Sequence, residues 1–243
     1  MYKLELIAFN IQSCIAAQAA GAHRIELCAN PLEGGTTPSY GFIKAARDKT
    51  TIELYPIIRP RGGDFLYSDD EFEIMKSEIK VCKVFGCNGI VIGMLHADGT
   101  IDTKRTKELV DMARPLGVTF HRAFDRSNDL LQALEDVIST GCDRILTSGG
   151  RPDAIAGADM LAQLVEQANG RIVIMPGSGV RADNIDMLAD RTGAVEFHSS
   201  ARKSMESQMQ YRNDKMQEAL TEVSLDEEEA RLMASRLQVL SES

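Results

Sequence analysis

The chain has 243 residues, 44% of them hydrophobic, and a formal net charge of −9. That acidity argues against nucleic acid or an anionic membrane as partner, because both demand a basic surface. No run approaches the ~18–20 apolar residues of a membrane span, and MYKLELIAFN lacks the basic-then-apolar pattern of a signal peptide, so a cytoplasmic protein is expected.

In chain order, a short apolar run is followed by a loop and then an amphipathic stretch, repeatedly. KLELIA (3–8) is read as the first strand, and the Ala-rich IQSCIAAQAAG after it as a helix closed by a glycine. Further strands are RIELC (24–28), IELYPII (52–58), GIVIGML (89–95), VTFHR (118–122), RILTS (144–148), RIVIMP (171–176) and AVEFHS (194–199). Each intervening segment is long enough for a helix. DDEFEIMKSEIKVCKVFG sets Phe72, Met75, Ile79, Cys82 and Phe85 at helical spacing behind an acidic first turn.

Strands alternating with helices imply a parallel sheet with right-handed crossovers. Eight such units in about 200 residues predict an α/β fold of the (β/α)8 TIM-like barrel type. The barrel is expected over 1–202 as one domain, with 203–243 as a C-terminal extension packed on it. RKSMESQMQYRNDKMQEALTE is polar and without clear period. LDEEEARLMASRLQVL places Leu225, Leu232, Met233, Leu237 and Leu240 as an apolar stripe that caps the barrel or meets another subunit.

Active sites of this fold lie at the C-terminal ends of the strands. The residues there are Glu26 and Cys28, then Arg59, Arg61 and Asp64, then Met94, His96 and Asp98, then His121, Arg122 and Asp125. TSGG (147–150), PGSG (176–179), and Glu196, His198, Ser199 and Ser200 complete the set. Three of the four histidines fall at this end; the fourth, His23, stands just before strand 2, and the opposite loops DKTT, GCN and STGCD carry none. The asymmetry favours a functional mouth over ordinary loop polarity.

Arg59 and Arg61, two apart, project to one side of an extended chain. They suit a carboxylate or phosphate, or else they pair with Glu26 and Asp64. Ser148, Gly149, Gly177, Ser178, Gly179 and Ser199 expose backbone N–H groups in three successive loops. They are read with Arg122 as anion-binding or as tight turns. Glu26, His121, Asp125 and His198 are the groups available for acid–base work, though no spacing pairs a nucleophile with its base. Cys28, Met94 and Met175, with His121 and His198, offer soft ligands of the kind Cu(I) prefers; the alternative for each is core packing. The five cysteines, Cys14, Cys28, Cys82, Cys87 and Cys142, are odd in number and lack CxxC spacing, which predicts reduced thiols.

The segments RIELCANPLEGGTTPSYG, IIRPRGGDFLYSDDEF, DGTID, VTFHRAFD, RILTSGG, GSGVRADN, VEFHSSA and MQYRN resemble, in order, the signature segments of the CutC copper-homeostasis family. The resemblance implies a TIM-like barrel, a homodimer or larger homo-oligomer, and cytoplasmic copper handling with Cu(I) bound through cysteine. The family's cysteine falls on Cys28, with His198 as candidate partner. Ile7 stands where many relatives carry a first-strand cysteine, so Cys28 needs Met or His partners or a second subunit. The competing reading is a barrel enzyme on a small anionic metabolite, phosphorylated or not, held by Arg59 and Arg61. A scaffold role resting on the acidic C-terminal helix ranks below both.

Overall fold

The chain folds as a computed structural model that describes residues 1–217 and 220–242. Its first strand, β1 (Lys3–Ala8), is followed by α1 (Ile11–Ala19), whose first turn is capped by the Asn10 side chain accepting from Ser13 N at 2.8 Å. The unit then repeats through β2 (Arg24–Leu27), α2 (Tyr40–Lys49), β3 (Glu53–Pro56), α3 (Asp69–Val84), β4 (Gly89–Ile92) and α4 (Thr103–Ala113). It continues through β5 (Gly117–Phe120), α5 (Leu130–Thr140), β6 (Arg144–Thr147), α6 (Ala158–Ala168), β7 (Val173–Pro176), α7 (Ile185–Thr192) and β8 (Glu196–Ser199). α3 starts at a capping box in which Ser68 and Glu71 serve each other's backbone, and it buries Phe72, Met75, Ile79 and Cys82.

The strands pair in parallel as β3-β2-β1-β8 and β4-β5-β6-β7. A parallel bridge between Ile57 and Val91 joins β3 to β4, and β7 lies beside β8, closing a TIM-like α/β barrel. Along each strand alternate side chains face outward and inward. Leu4, Leu6, Ile25, Leu27, Leu54, Ile90, Ile92 and Phe120 face the helices and form the main core. Cys28, Tyr55, Ile57 and Val91, with Ile7 and Phe9 against them, form a smaller cluster of their own.

The stretch 203–224 differs from a plain polar extension. Arg202–Glu206 (β9) and Thr221–Leu225 (β10) pair antiparallel as a hairpin, exposed except at its base. Asp226 N donates to Ala201 O at 2.6 Å, so the hairpin is an excursion within the loop that follows β8. α8 (Glu227–Glu242) then lies against α7, β1 and α1, in the place of the eighth barrel helix. Its buried face is Ala230, Met233 and Leu237, while Leu225 belongs to β10 and Leu232 points to solvent. Of the expected extension, residues 218, 219 and 243 lie outside the described residues.

A charged barrel interior beneath a cationic mouth

The inward positions at the N-terminal end of the barrel carry charge where such layers are usually aliphatic. Arg24, 1% exposed, donates from Nε to Glu5 Oε2 at 2.5 Å and from NH2 to Glu196 Oε2 at 2.5 Å. Arg144 donates from Nε to the same Glu196 oxygen at 2.7 Å. Both guanidinium groups lie over the Tyr55 ring, at 5.0 and 5.6 Å from its centroid. Room for that ring comes from two glycines. A Cβ at Gly89 would stand 2.1 Å from Tyr55 Cε1, and one at Gly117 would stand 2.3 Å from its hydroxyl. Arg24 and Arg144 are the first residues of β2 and β6, and in the barrel they turn inward and form its floor.

Above this floor sits a pair of acid–base groups. His198 on β8 has Nδ1 2.8 Å from Glu5 Oε1, and Nε2 3.7 Å from Glu26 Oε2 on β2. All three are buried. Burial works against the charge on Glu5, but Arg24, with His198 and Arg144, outweighs it and holds the carboxyl at about 2. At Glu26 burial, with Glu5 beside it, outweighs the nearby His198 and Arg24 and pushes the carboxyl up to about 7. Burial opposes a charged His198, yet the bond to Glu5 and the charges of Glu26 and Glu5 raise its pKa. His198 and Glu26 thus form a proton-holding pair fixed from below by Glu5.

This pair opens into a cavity of about 120 Å³ lined also by Ile7, Arg59, His121, Arg122 and Leu146. A wider space of about 280 Å³ continues outward, sharing Gly34, Arg59, Phe65 and Arg122 and adding Glu33, Asp125, Arg126, Gly150 and Arg151. Four arginines against two carboxylates make the mouth cationic in an acidic chain.

The expected site residues divide sharply. Glu26, His121, His198, Arg59 and Arg122 converge on the inner cavity. Asp125 lines the outer space but is already engaged: it accepts from Arg122 Nε at 2.7 Å, Thr147 Oγ1 at 2.5 Å, and Ser148 N and Gly150 N at 3.0 Å each. The loop amides expected to meet a ligand anion therefore meet an internal carboxylate, and Gly149 N donates to Thr147 Oγ1. Gly177 N is spent on Thr147 O, and its missing side chain leaves space for Leu146 and His198. Ser178 Oγ bonds Pro152 O, Gly179 stands against Asp153, and Ser199 Oγ bonds Val180 O. The loop after β6 reaches the outer cavity at Gly150, but Ser148, Gly149, Gly177, Ser178, Gly179 and Ser199 line neither cavity.

Arg59 and Arg61 part company. Arg59 is buried, held by the carbonyls of Glu33, Gly35 and Gly63, and lines both cavities. Arg61 turns to Glu71 at 2.5 Å and Asp64 at 3.0 Å and lines neither, because 57–63 bends and loses the extended two-residue repeat.

The soft-ligand set does not assemble. Cys28 is fully buried, and a Cβ on Gly35 would stand 3.2 Å from its sulfur. Burial, with Glu26 and Glu5 nearby, pushes its thiol well above the usual range, the wrong direction for a thiolate ligand. Met175 sulfur accepts from Arg24 at 3.7 Å. Among the described residues, the His, Cys, Asp and Glu side chains close enough to share a metal are Glu5, Glu26 and His198, with ligand atoms within 4.8 Å. That set is two oxygens and a nitrogen, unsuited to Cu(I), and Glu5 is already committed to Arg24 and His198. Glu5, Arg24 and Arg144 were not singled out from sequence; the charged residues at inward strand positions were the available signal.

Fold and mouth together define an α/β-barrel protein with an acid–base pair under a cationic funnel. The model of the CutC family matches residues 2–203, and the chain belongs to that family. A CutC family protein of Chromobacterium violaceum is 54% identical over 86% of this chain and 85% of its own. The Mus musculus protein named "Copper homeostasis protein cutC homolog" is 46% identical over 87% of this chain and 78% of its own. The crystal structure of a CutC protein from Streptococcus agalactiae superposes with a TM-score of 0.78 at 35% identity, covering 82% of this chain and 99% of that one. Likeness to phosphoribosylanthranilate isomerase of Thermotoga maritima, TM-score 0.62 at 9% identity, concerns the fold alone.

Proposed function

We propose that this CutC-family chain binds a small anionic molecule at the barrel mouth and acts on it by proton transfer. One observation carries the reading: two adjoining cavities that share Arg59 and Arg122 reach from Arg126 and Arg151 to the Glu26–His198 pair. A group near neutral pKa at the blind end of a cationic passage suits general acid–base work on an anion. Thermal-shift and calorimetric titration with phosphate monoesters and dicarboxylates tests it. Wild type is expected to be stabilised, and Arg122→Ala to lose most of the effect. A broad panel that shifts neither protein removes the reading.

The relatives' names supply a second reading, copper homeostasis with Cu(I) at Cys28 and His198. What supports it is the position of Cys28, inside the barrel and two residues beyond Glu26. The protonated thiol fits poorly, so tight stoichiometric binding is not expected. An anaerobic Cu(I) titration of wild type beside Cys28→Ser decides: high affinity lost in the variant would establish copper at Cys28. A cytoplasmic protein belongs with both readings, supported by five cysteines carried as free thiols, and homo-oligomerisation is proposed from the family resemblance alone. Light scattering of the purified chain reads the assembly directly.

A further inference from the structure

His121 is the least explained polar group in the cavity. It is 4% exposed, at the end of β5, across the barrel from β1. Its Nδ1 accepts from Ala123 N at 3.1 Å, which assigns the ring proton to Nε2. That Nε2 is buried with no hydrogen-bond partner in the protein. Buried donors are rarely left so, and one lining a cavity is a donor held for a ligand.

The ring is also locked in place. A Cβ at Gly93 would stand 2.4 Å from His121 Nδ1, so the chain just after β4 gives up a side chain there to admit the ring. Phe65 packs against it at 4.9 Å between centroids. Burial, with the Arg59 charge beside it, drives its pKa down to about 3, so the imidazole is neutral at physiological pH and remains a donor.

Resting on the anion-site reading above, we propose that the bound molecule is an anionic carbonyl compound whose carbonyl oxygen accepts from His121 Nε2–H while Glu26 removes a proton from the adjacent carbon. Three placements carry this. His121 and Glu26 stand on β5 and β2 and line the same inner cavity. The ion pair of Glu26 with His198 is 3.7 Å long, beyond hydrogen-bond distance, which leaves its carboxylate facing the space. The molecule's charged end belongs in the outer cavity, where Arg126 and Arg151 form no ion pair among the described residues.

The step balances within the substrate. The C–H bond breaks, its electron pair becomes the C=C bond, and the carbonyl π pair moves to oxygen. The resulting enolate oxygen is held by His121 Nε2–H, with Arg59 beside it, and the proton sits on Glu26. Return of the proton to the same carbon gives exchange with solvent; where that carbon bears a hydroxyl, passage of the hydroxyl proton to the enolate oxygen and return of the carbon-bound proton to the former carbonyl carbon gives the isomeric carbonyl compound. A neutral, fixed donor aimed at a developing oxyanion is effective because it needs no reorganisation.

The test is proton NMR in D2O with dihydroxyacetone phosphate and ribulose 5-phosphate, alongside binding of glycerol 1-phosphate, which has no carbonyl. Wild type is expected to catalyse loss of the α-proton signal. His121→Phe should lower the rate by about 100-fold, the usual cost of one oxyanion donor, with glycerol 1-phosphate affinity retained as proof of a folded site. His121→Gln, which keeps an N–H, should recover part of the rate, and Glu26→Gln should abolish it. Exchange absent in wild type while glycerol 1-phosphate binds overturns this inference and leaves the anion site standing. Undiminished exchange in folded His121→Phe also overturns it. If none of the three phosphates binds, this inference falls, and the anion-site reading falls with it unless the dicarboxylates bind.

Discussion

Nδ1 of His198 and Oε1 of Glu5 stand 2.8 Å apart inside the barrel, joined across 193 residues of sequence. The first strand thus orients the imidazole of the last, and Nε2 is left facing Glu26 and the cavity. Arg24 secures Glu5 from below at 2.5 Å, so the acid–base pair rests on a chain of buried charges.

Removing one member of such a chain leaves another uncompensated. Glu5→Gln is expected to destabilise the protein by about 3 kcal/mol. Glu53→Gln removes the half-exposed partner of Arg24 and should cost less than about 1 kcal/mol. Urea unfolding of both variants checks the contrast, and equal effects would mean that Glu5 is no cornerstone.

The floor makes a steric prediction. Gly117→Ala should cost about 1–3 kcal/mol by overpacking against the Tyr55 hydroxyl. Tyr55→Phe removes that oxygen, so the double variant should be more stable than the sum of the single changes implies. Additivity in the cycle would show that the two groups do not press on each other.

His121 and Glu26 pull stability in opposite directions with pH. The unfolded chain protonates His121 near 6.5 while the folded one waits until about 3, so this group makes stability fall as pH drops through that window. Folded Glu26 keeps its proton up to about 7, against 4.5 unfolded, so it makes stability fall as pH rises between those values. The two oppose each other between 4.5 and 6.5. Relative to wild type, Glu26→Gln should gain stability with rising pH there and His121→Phe should lose it, each by up to about 1.4 kcal/mol per pH unit. Denaturation at about pH 5 and about pH 6 reads both slopes; parallel curves for all three proteins would refute the assignment.

Arg61 and Arg122 separate structure from binding. Arg61→Ala should leave anion affinity unchanged, because its guanidinium is taken by Glu71 and Asp64 outside the cavity. Arg122→Ala should weaken it by about tenfold or more, in line with ~1.5–3 kcal/mol for a charged hydrogen bond. Calorimetry on the two variants distinguishes them, and the reverse order would relocate the site.

The barrel was legible because β-branched runs and glycine-closed helices recur at one spacing, from KLELIA to VEFHS. Glu26, His121 and His198 were legible for the same reason, since each ends a recognisable strand. The loop glycines at 147–150 misled because sequence cannot say which anion an amide meets, and Asp125 turned out to be that anion. Arg61 misled because a bend after Arg59 breaks the alternation that had aligned them. Glu5, Arg24 and Arg144 stayed hidden because inward and outward positions of a strand differ by one residue, and charge at the inward one looks like a strand beginning. The hairpin of β9 and β10 had no apolar alternation to reveal it, being exposed along most of both strands.

The Tyr55 ring, with two guanidinium groups over it and two glycines giving it room, stoppers the barrel at its N-terminal end. The vessel is therefore blind: whatever reaches Glu26 and His198 comes in past Phe65 and Arg122 and leaves by the same door. On the proposed anion-site reading, entry and exit share that opening, and a molecule lodged in the funnel would shut the chamber below without touching Glu26 or His198.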